Sequence, residues 1–194
     1  MNILEILANL FNLISVFLAN RNSVHTWWIG IIGGLFYGLM FFEVKLYADV
    51  ILQIFFIITN VYGWWAWLHG GTEHKELPIT RVAPFQLMLF AAVAFVSTFG
   101  HGVLLYQLTD ASFPFVDSTI LVLSIMAQFL LMRRKLESWL FWITVDAIAV
   151  PLYVAKGLYL TSVIYFLFLL NAVWAIRHWY GLWRSHSDLG DAAS

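Results

Sequence analysis

Along this 194-residue chain the apolar positions gather into seven long runs separated by polar punctuation. To within a few residues at each end, the runs cover 3–19, 26–42, 46–68, 84–108, 114–132, 138–155 and 159–183. Each can cross a bilayer core of roughly 30 Å as one helix. The pattern therefore predicts an all-α integral membrane protein with seven transmembrane helices. Most connections are only a few residues long. The exception is His69–Ala83 (HGGTEHKELPITRVA), whose glycine, proline and charge content is that of a solvated linker. The polar tail from Ser185 to Ser194 is expected to be disordered. The N-terminal run has no basic lead and carries Glu5 early, so it reads as a first membrane helix rather than a cleaved signal.

The stretch from Lys45 to Leu68 is not uniformly apolar. Asp49, Gln53, Phe56, Asn60, Trp64 and Trp67 are spaced by three or four residues and so share one helix face. Lipid offers carboxyl and amide groups no partners, so such a face must turn toward protein or a water-filled path. A polar stripe edged with aromatics reads first as part of a solute site.

An internal repeat underlies the seven runs. A shift of 112 positions pairs Phe17 with Phe129, Leu18 with Leu130, Arg21 with Arg133 and Trp27 with Trp139. It also pairs Leu46–Tyr47 with Leu158–Tyr159, Phe56 with Phe168 and Trp67 with Trp179, while Glu5 with Asp117 and Gln53 with Tyr165 match in polarity only. Helices 1–3 thus map onto helices 5–7, and a displacement of four spans makes the repeats parallel. The expected architecture is a 3+1+3 transporter, with the substrate near the midplane between the halves. The chain then divides into a first three-helix bundle (1–68), a linker loop with linker helix 4 (69–113), a second three-helix bundle (114–183) and a cytoplasmic tail (184–194).

Charge sets the orientation and removes several function classes. With the N-terminus outside, inner loops and tail hold Arg21, Lys75, Arg81, Arg133, Arg134, Lys135, Arg177 and Arg184, against Lys45 and Lys156 outside. That bias predicts N-out, C-in. Only 11% of residues are charged and the mean hydropathy is +0.83, which excludes an ordinary soluble domain. A net charge of −1 leaves no basic surface for nucleic acid. There is no cysteine, no histidine pair at i, i+4 within a span, no HExxH and no Walker-type loop. Metal, haem, ATP hydrolysis and other catalytic chemistry are accordingly not expected, and no cofactor is implied.

What remains is a set of polar and aromatic residues inside the spans. Trp139, Trp142, Asp146 and Tyr153 share a face of helix 6. A carboxylate near mid-helix costs roughly 2.5–3.5 kcal/mol on insertion scales, so Asp146 is read as holding a cation or a sugar hydroxyl. The plainer alternative is a bond between helices, but no lysine or arginine sits at comparable depth. Gln53 and Asn60, two turns apart, can donate to and accept from hydroxyls or carboxamides, with interhelical hydrogen bonding as the alternative. Tyr165, the repeat counterpart of Gln53, joins the candidates. Trp142 lies deep enough to stack on a cationic ring. Trp27, Trp28, Trp64, Trp65, Trp67, Trp139, Trp179 and Trp183 fall near helix ends, where interfacial aromatic belts are the default reading. Gly30, Gly34 and Gly38 form a small-residue face for close helix contact, and Gly34 is the repeat mate of Asp146. Glu5, Asp49 and Asp117, at the outer ends, are weaker candidates for gating or for attracting a cation.

The segments LYADVILQIFFIITNVYGWWAW, FPFVDS, the WLFW of Trp139–Trp142 and KGLYLTSVIYFLF resemble the PnuC family of bacterial vitamin transporters, over about Trp27 to Trp179. The resemblance implies a 3+1+3 fold like a duplicated, full-length SWEET protein, a homotrimer and a place in the bacterial inner membrane. It also implies facilitated diffusion of nicotinamide riboside, trapped inside by a cytoplasmic kinase. Family binding sites use the tryptophans of a W-x-x-W motif and amides of the middle helices, here Trp139, Trp142, Gln53 and Asn60. Some nicotinamide riboside members carry Asn where this chain has Gly33 and Asp146, and some have an additional N-terminal helix without a counterpart here. Relatives on the same scaffold move thiamine or riboflavin. Nicotinamide riboside and thiamine both carry a cationic aromatic ring, so Asp146 and Trp142 suit either. Asp146 is also the one candidate for carrying a coupling proton; lacking a partner base, uncoupled transport is the preferred reading. A structural or partner-binding membrane subunit is the alternative from a different class, and it leaves the polar stripes without a ligand.

Overall fold

The computed structural model describes residues 3–43, 47–71, 76–110 and 112–191. Among them seven helices follow in order: α1 (Ile3–Asn20), α2 (His25–Glu43), α3 (Tyr47–His69), α4 (Pro84–Leu108), α5 (Pro114–Met132), α6 (Ser138–Ala155) and α7 (Tyr159–Asp191). All seven are long and apolar enough to span a membrane. The one β-feature among the described residues is an isolated bridge between Thr80 and Lys135. Helix ends follow the hydrophobic pattern closely, with one exception. The apolar run of α7 ends near residue 183, yet the helix continues to Asp191. The tail expected to be disordered is therefore largely helical, because polarity ends a membrane span without ending a helix and no proline intervenes.

The helices form two compact units. One comprises α1–α3, residues 132–134 and α7 from His178 onward; the other comprises residues 80–83, α4, α5 to Leu131, residues 135–137, α6 and α7 to Arg177.

In the first unit the glycines of α2 let its neighbours approach closely. A β-carbon on Gly30 would lie 3.1 Å from both Asn60 Nδ2 and Ser15 Oγ, and one on Gly34 would lie 3.1 Å from Ile57. α1 and α2 are further tied by reciprocal bonds, Ser15 Oγ donating to the Thr26 carbonyl and Thr26 Oγ1 to the Ser15 carbonyl, both at 2.8 Å. On α3, Gln53, Ile57 and Asn60 turn toward α2, while Ile51, Ile54, Ile58 and Val61 are exposed at helical spacing. That exposed row is the face lipid would cover.

In the second unit α4 meets α5 where the Phe115 ring lies against Gly102, in space a β-carbon there would fill. Beside it His101 Nδ1 and Ser118 Oγ are 2.8 Å apart, and Ser118 Oγ donates to the Pro114 carbonyl. Ahead of α4, the buried Glu137 carboxylate accepts the Val82 N–H at 2.8 Å and Arg81 Nε at 3.1 Å. The Leu136 N–H donates to the Thr80 carbonyl at 3.0 Å, so the end of the long α3–α4 connection is held against the α5–α6 turn.

The 112-residue repeat recurs in backbone geometry. Asn22 and Arg134, one offset apart, are the two non-glycine residues with positive φ among those described, at 54° and 52°. Asn tolerates that left-handed region better than Arg does. Around them the same bonds recur: Ser23 N–H to Leu18 O at 3.0 Å and Lys135 N–H to Leu130 O at 2.9 Å. Thr26 to Ser23 and Ser138 to Lys135 are both 3.1 Å, and Trp27 to Val24 and Trp139 to Leu136 are both 3.3 Å.

The tryptophans separate along the same line. Trp27, Trp67, Trp139 and Trp179 are at most 2% exposed, so for these four the interfacial-belt reading is overturned. They are two pairs at the 112-residue offset, and all four fill core positions. Trp28, Trp64 and Trp65 are exposed, so Trp64 lies off the polar face assigned to it. In the first unit Trp27 and Trp67 meet edge to face with centroids 5.2 Å apart, and Trp67 and Trp179 follow at 5.7 Å. Gly63 makes room for this cluster: a β-carbon there would lie 2.5 Å from the Trp27 ring. Gly63→Val is therefore expected to cost about 1–3 kcal/mol through overpacking. Gly181→Ala, which meets nothing within 4 Å, should leave thermal unfolding in detergent unchanged or raise it slightly.

Candidate functional site

In the first unit the polar side chains of the spans fall into two groups. Some are closed on one another: Tyr37 OH donates to Asn9 Oδ1 at 2.7 Å, Ser15 and Thr26 bond reciprocally, and Thr59 Oγ1 donates to the Phe56 carbonyl at 2.9 Å. Gln53 is not closed in this way. The half-buried Gln53 carboxamide has no hydrogen bond among the described residues, and its Oε1 lies 3.8 Å from where a β-carbon on Gly34 would be. Asn60 has its carboxamide against Gly30 of α2. Gln53 and Asn60 thus share the α2-facing side of α3, as their spacing predicts. The Asp49 side chain lies outside the described residues.

In the second unit α6 carries Trp139, Trp142, Asp146 and Tyr153. Asp146 is 2% exposed and has neither a salt bridge nor a hydrogen bond among the described residues. Apart from Arg177 and Arg184, both in the last half of α7, the described helices contain no arginine or lysine. A carboxylate buried without a cation in a membrane helix is costly, and such residues mark functional sites. Trp142, one turn before it, is half-buried, leaving ring surface that Trp139 lacks. Two turns beyond Asp146 toward the other end, Tyr153 packs on Tyr165 with centroids 4.9 Å apart, and Phe168 meets Tyr165 edge to face at 5.8 Å. These three rings join α6 to α7.

The weaker candidates divide. Asp117 is paired with Lys156, Oδ1 to Nζ at 2.6 Å, so its charge is largely compensated. Glu5 is half-buried in the first turn of α1, with no salt bridge among the described residues. Among the described residues no cluster of histidine and carboxylate groups could hold a metal ion.

The structure also brings forward residues that spacing alone did not single out. Asn12 on α1 lies against Gly33, and Gln128 is buried in α5. Arg134 is buried in the α5–α6 turn; it donates to Asn22 Oδ1 at 2.9 Å and to the Leu77 carbonyl, and lies 3.6 Å from Glu76. Burial pulls its guanidinium below the usual arginine value, and the Glu76 carboxylate opposes that shift. Gln128 was legible as the one amide of α5, and Asn12 as one of three asparagines in α1. Arg134 was not, because a basic residue in a loop reads as solvated.

A family model described as Nicotinamide mononucleotide transporter matches residues 2–181. The chain is 27% identical over 201 residues to the nicotinamide riboside transporter PnuC of Escherichia coli (strain K12), covering 91% of this chain and 84% of that one. It is 27% identical over 184 residues to the riboflavin/roseoflavin transporter RibM of Streptomyces davaonensis, with the same coverage of each chain. Among solved structures, the crystal structure of the vitamin B3 transporter PnuC superposes with a TM-score of 0.72 at 24% identity, covering 94% of this chain and 83% of that one.

Proposed function

Because the chain belongs to the nicotinamide mononucleotide transporter family, we propose that it is a membrane transporter for nicotinamide riboside. The observation that carries this reading is Asp146, a buried carboxylate with no cation of its own among the described residues. Such a group favours a solute that brings positive charge, and the nicotinamide ring of the riboside does so. The same feature argues against the mononucleotide. A phosphate calls for arginine or lysine, and the spans offer none at the depth of Asp146. Two relatives, from E. coli and Neisseria mucosa, are nicotinamide riboside transporters.

We assign Gln53, Asn60, Trp139, Trp142, Asp146, Tyr153 and Tyr165 to substrate binding, each on the chemistry of its own side chain. Asp146 balances the ring charge, Trp142 stacks on it, the tyrosines flank it, and the amides satisfy hydroxyl or carboxamide groups. Trp139, nearly without exposed surface, positions Trp142 from the preceding turn. Glu5 and Asp49 would draw cationic solute from outside, and Asp117, paired with Lys156, is the weaker third candidate for that role. Transport is downhill and uncoupled, with intracellular phosphorylation by a kinase retaining the product. The protein lies in the bacterial inner membrane as a homotrimer, N-terminus outside. Orientation rests on the basic loops, and trimer, kinase and membrane on the family resemblance.

Calorimetric titration of the detergent-solubilised protein with nicotinamide riboside, nicotinamide mononucleotide, thiamine and riboflavin tests the reading. Binding of the riboside alone is the expected result. Thiamine binding alone would keep the cation argument and change the substrate. Riboflavin binding alone would remove the role given to Asp146.

A further inference from the structure

The glycine face of α2 is usually sufficient reason for amides nearby, since close helices bond to each other. Here that account covers only part of the polar inventory of the first unit. Asn9 is taken up by Tyr37, Ser15 by Thr26, and Thr59 by its own helix. Two carboxamides are not used up in this way. Asn12 Nδ2 donates to the Ala8 carbonyl at 2.9 Å, which leaves its Oδ1 and second N–H without partners among the described residues. Gln53 has no hydrogen bond among them at all.

These two amides meet neighbouring residues of α2. A β-carbon on Gly33 would lie 2.7 Å from Asn12 Nδ2, and one on Gly34 would lie 3.8 Å from Gln53 Oε1. Consecutive glycines of one turn are therefore flanked by an amide from α1 and an amide from α3. Gly33 and Gly34 are the ninth and tenth residues of the 19-residue α2, and Asn12 is the tenth of the 18-residue α1. The cluster is thus at mid-span, where water does not satisfy open amide valences and a solute in transit can. Their chemistry selects the partner: a carboxamide both donates and accepts, and it suits a neutral group that does the same.

We propose that Asn12, seated over Gly33, is a specificity-determining residue that hydrogen-bonds a neutral donor–acceptor group of the transported solute, a sugar hydroxyl or the ring carboxamide. This rests on the nicotinamide riboside reading and adds to it a residue on the first helix. The amide is held by its bond to Ala8 and by the space Gly33 leaves open. Asn12 therefore enforces recognition of the uncharged part of the solute, independently of the carboxylate that balances the ring.

The test is a cycle between protein and ligand. Affinities of nicotinamide riboside and of its analogues lacking the 2′-hydroxyl, the 3′-hydroxyl or the carboxamide are measured on the parent protein and on Asn12→Ala. The expected result is that one analogue, weakened about 10-fold or more in the parent, binds Asn12→Ala as well as the riboside does; which analogue it is names the group read. Gly33→Ala, which pushes the amide aside without removing it, should erase the same discrimination, and Asn12→Ser should restore part of it. Unchanged discrimination in both Asn12→Ala and Gly33→Ala would overturn the inference and leave the transport reading intact. Folded parent protein that binds no nicotinamide riboside would overturn both.

Discussion

Asp146→Asn protein is expected to bind nicotinamide riboside at least roughly 30-fold more weakly than the parent, and to unfold at the same temperature or higher. The loss follows from removing the charge that faces a cationic ring out of water, where truncating one partner of a buried pair costs about 2–5 kcal/mol. The stability follows from the other side of the same fact. A carboxylate buried at mid-helix with no salt bridge or hydrogen bond among the described residues is a cost that folding bears without return, roughly 2.5–3.5 kcal/mol on insertion scales. Its repeat mate is Gly34, so the same place in the first repeat is built with no side chain at all. A residue kept only to join helices predicts the reverse outcome, lower stability with affinity unchanged. Measuring affinity and thermal unfolding on one preparation separates the two, and Asp146→Ala should behave alike, less the small cost of the cavity it leaves.

The parts of this design that were legible in the sequence are those written in period and length. Seven spans follow from runs of apolar residues, and their ends follow from Pro84, Pro114, the glycines and the charged turns. The mid-span position of Asp146 and the α2-facing side of Gln53 and Asn60 follow from 3.6-residue spacing. What composition obscured was which aromatic residues are core. Trp27 and Trp65 look alike in a list of tryptophans near helix ends, and one is buried while the other is exposed. The distinguishing mark lay in the repeat, since the tryptophans that recur at 112 residues are the buried ones. Asn12 does not stand out from Asn9 and Asn20 in the sequence of its own helix. Its significance comes from Gly33 on the next helix, a contact no single-helix pattern contains.

Arg134→Asn is expected to destabilise the protein by roughly 3 kcal/mol, a fall of about 6–12 °C in the unfolding temperature for a chain of this size. Asparagine keeps the left-handed backbone that φ of 52° requires and adopts it more readily than arginine, so the net loss reports on the guanidinium, less that small gain. That group donates to Asn22 Oδ1 and the Leu77 carbonyl, lies near Glu76, and sits 4.6 Å from the centroid of the Trp67 ring. Trp67 in turn packs on Trp27 and Trp179, and Trp179 Nε1 donates to the carbonyls of Ala19 and Asn20, each at 3.1 Å. One arginine therefore holds the α1–α2 turn, the middle of the long connection and the tryptophan cluster of the first unit. Arg133→Ala, one residue away and exposed, should shift stability by no more than about 0.5 kcal/mol. Combining Arg134→Asn with Asn22→Gly should cost less than the sum of the two, because they share a bond. Were Arg134 instead a contact for an anionic solute, its replacement would weaken binding and leave unfolding alone. Its full set of partners in the folded chain makes the opposite outcome the expected one.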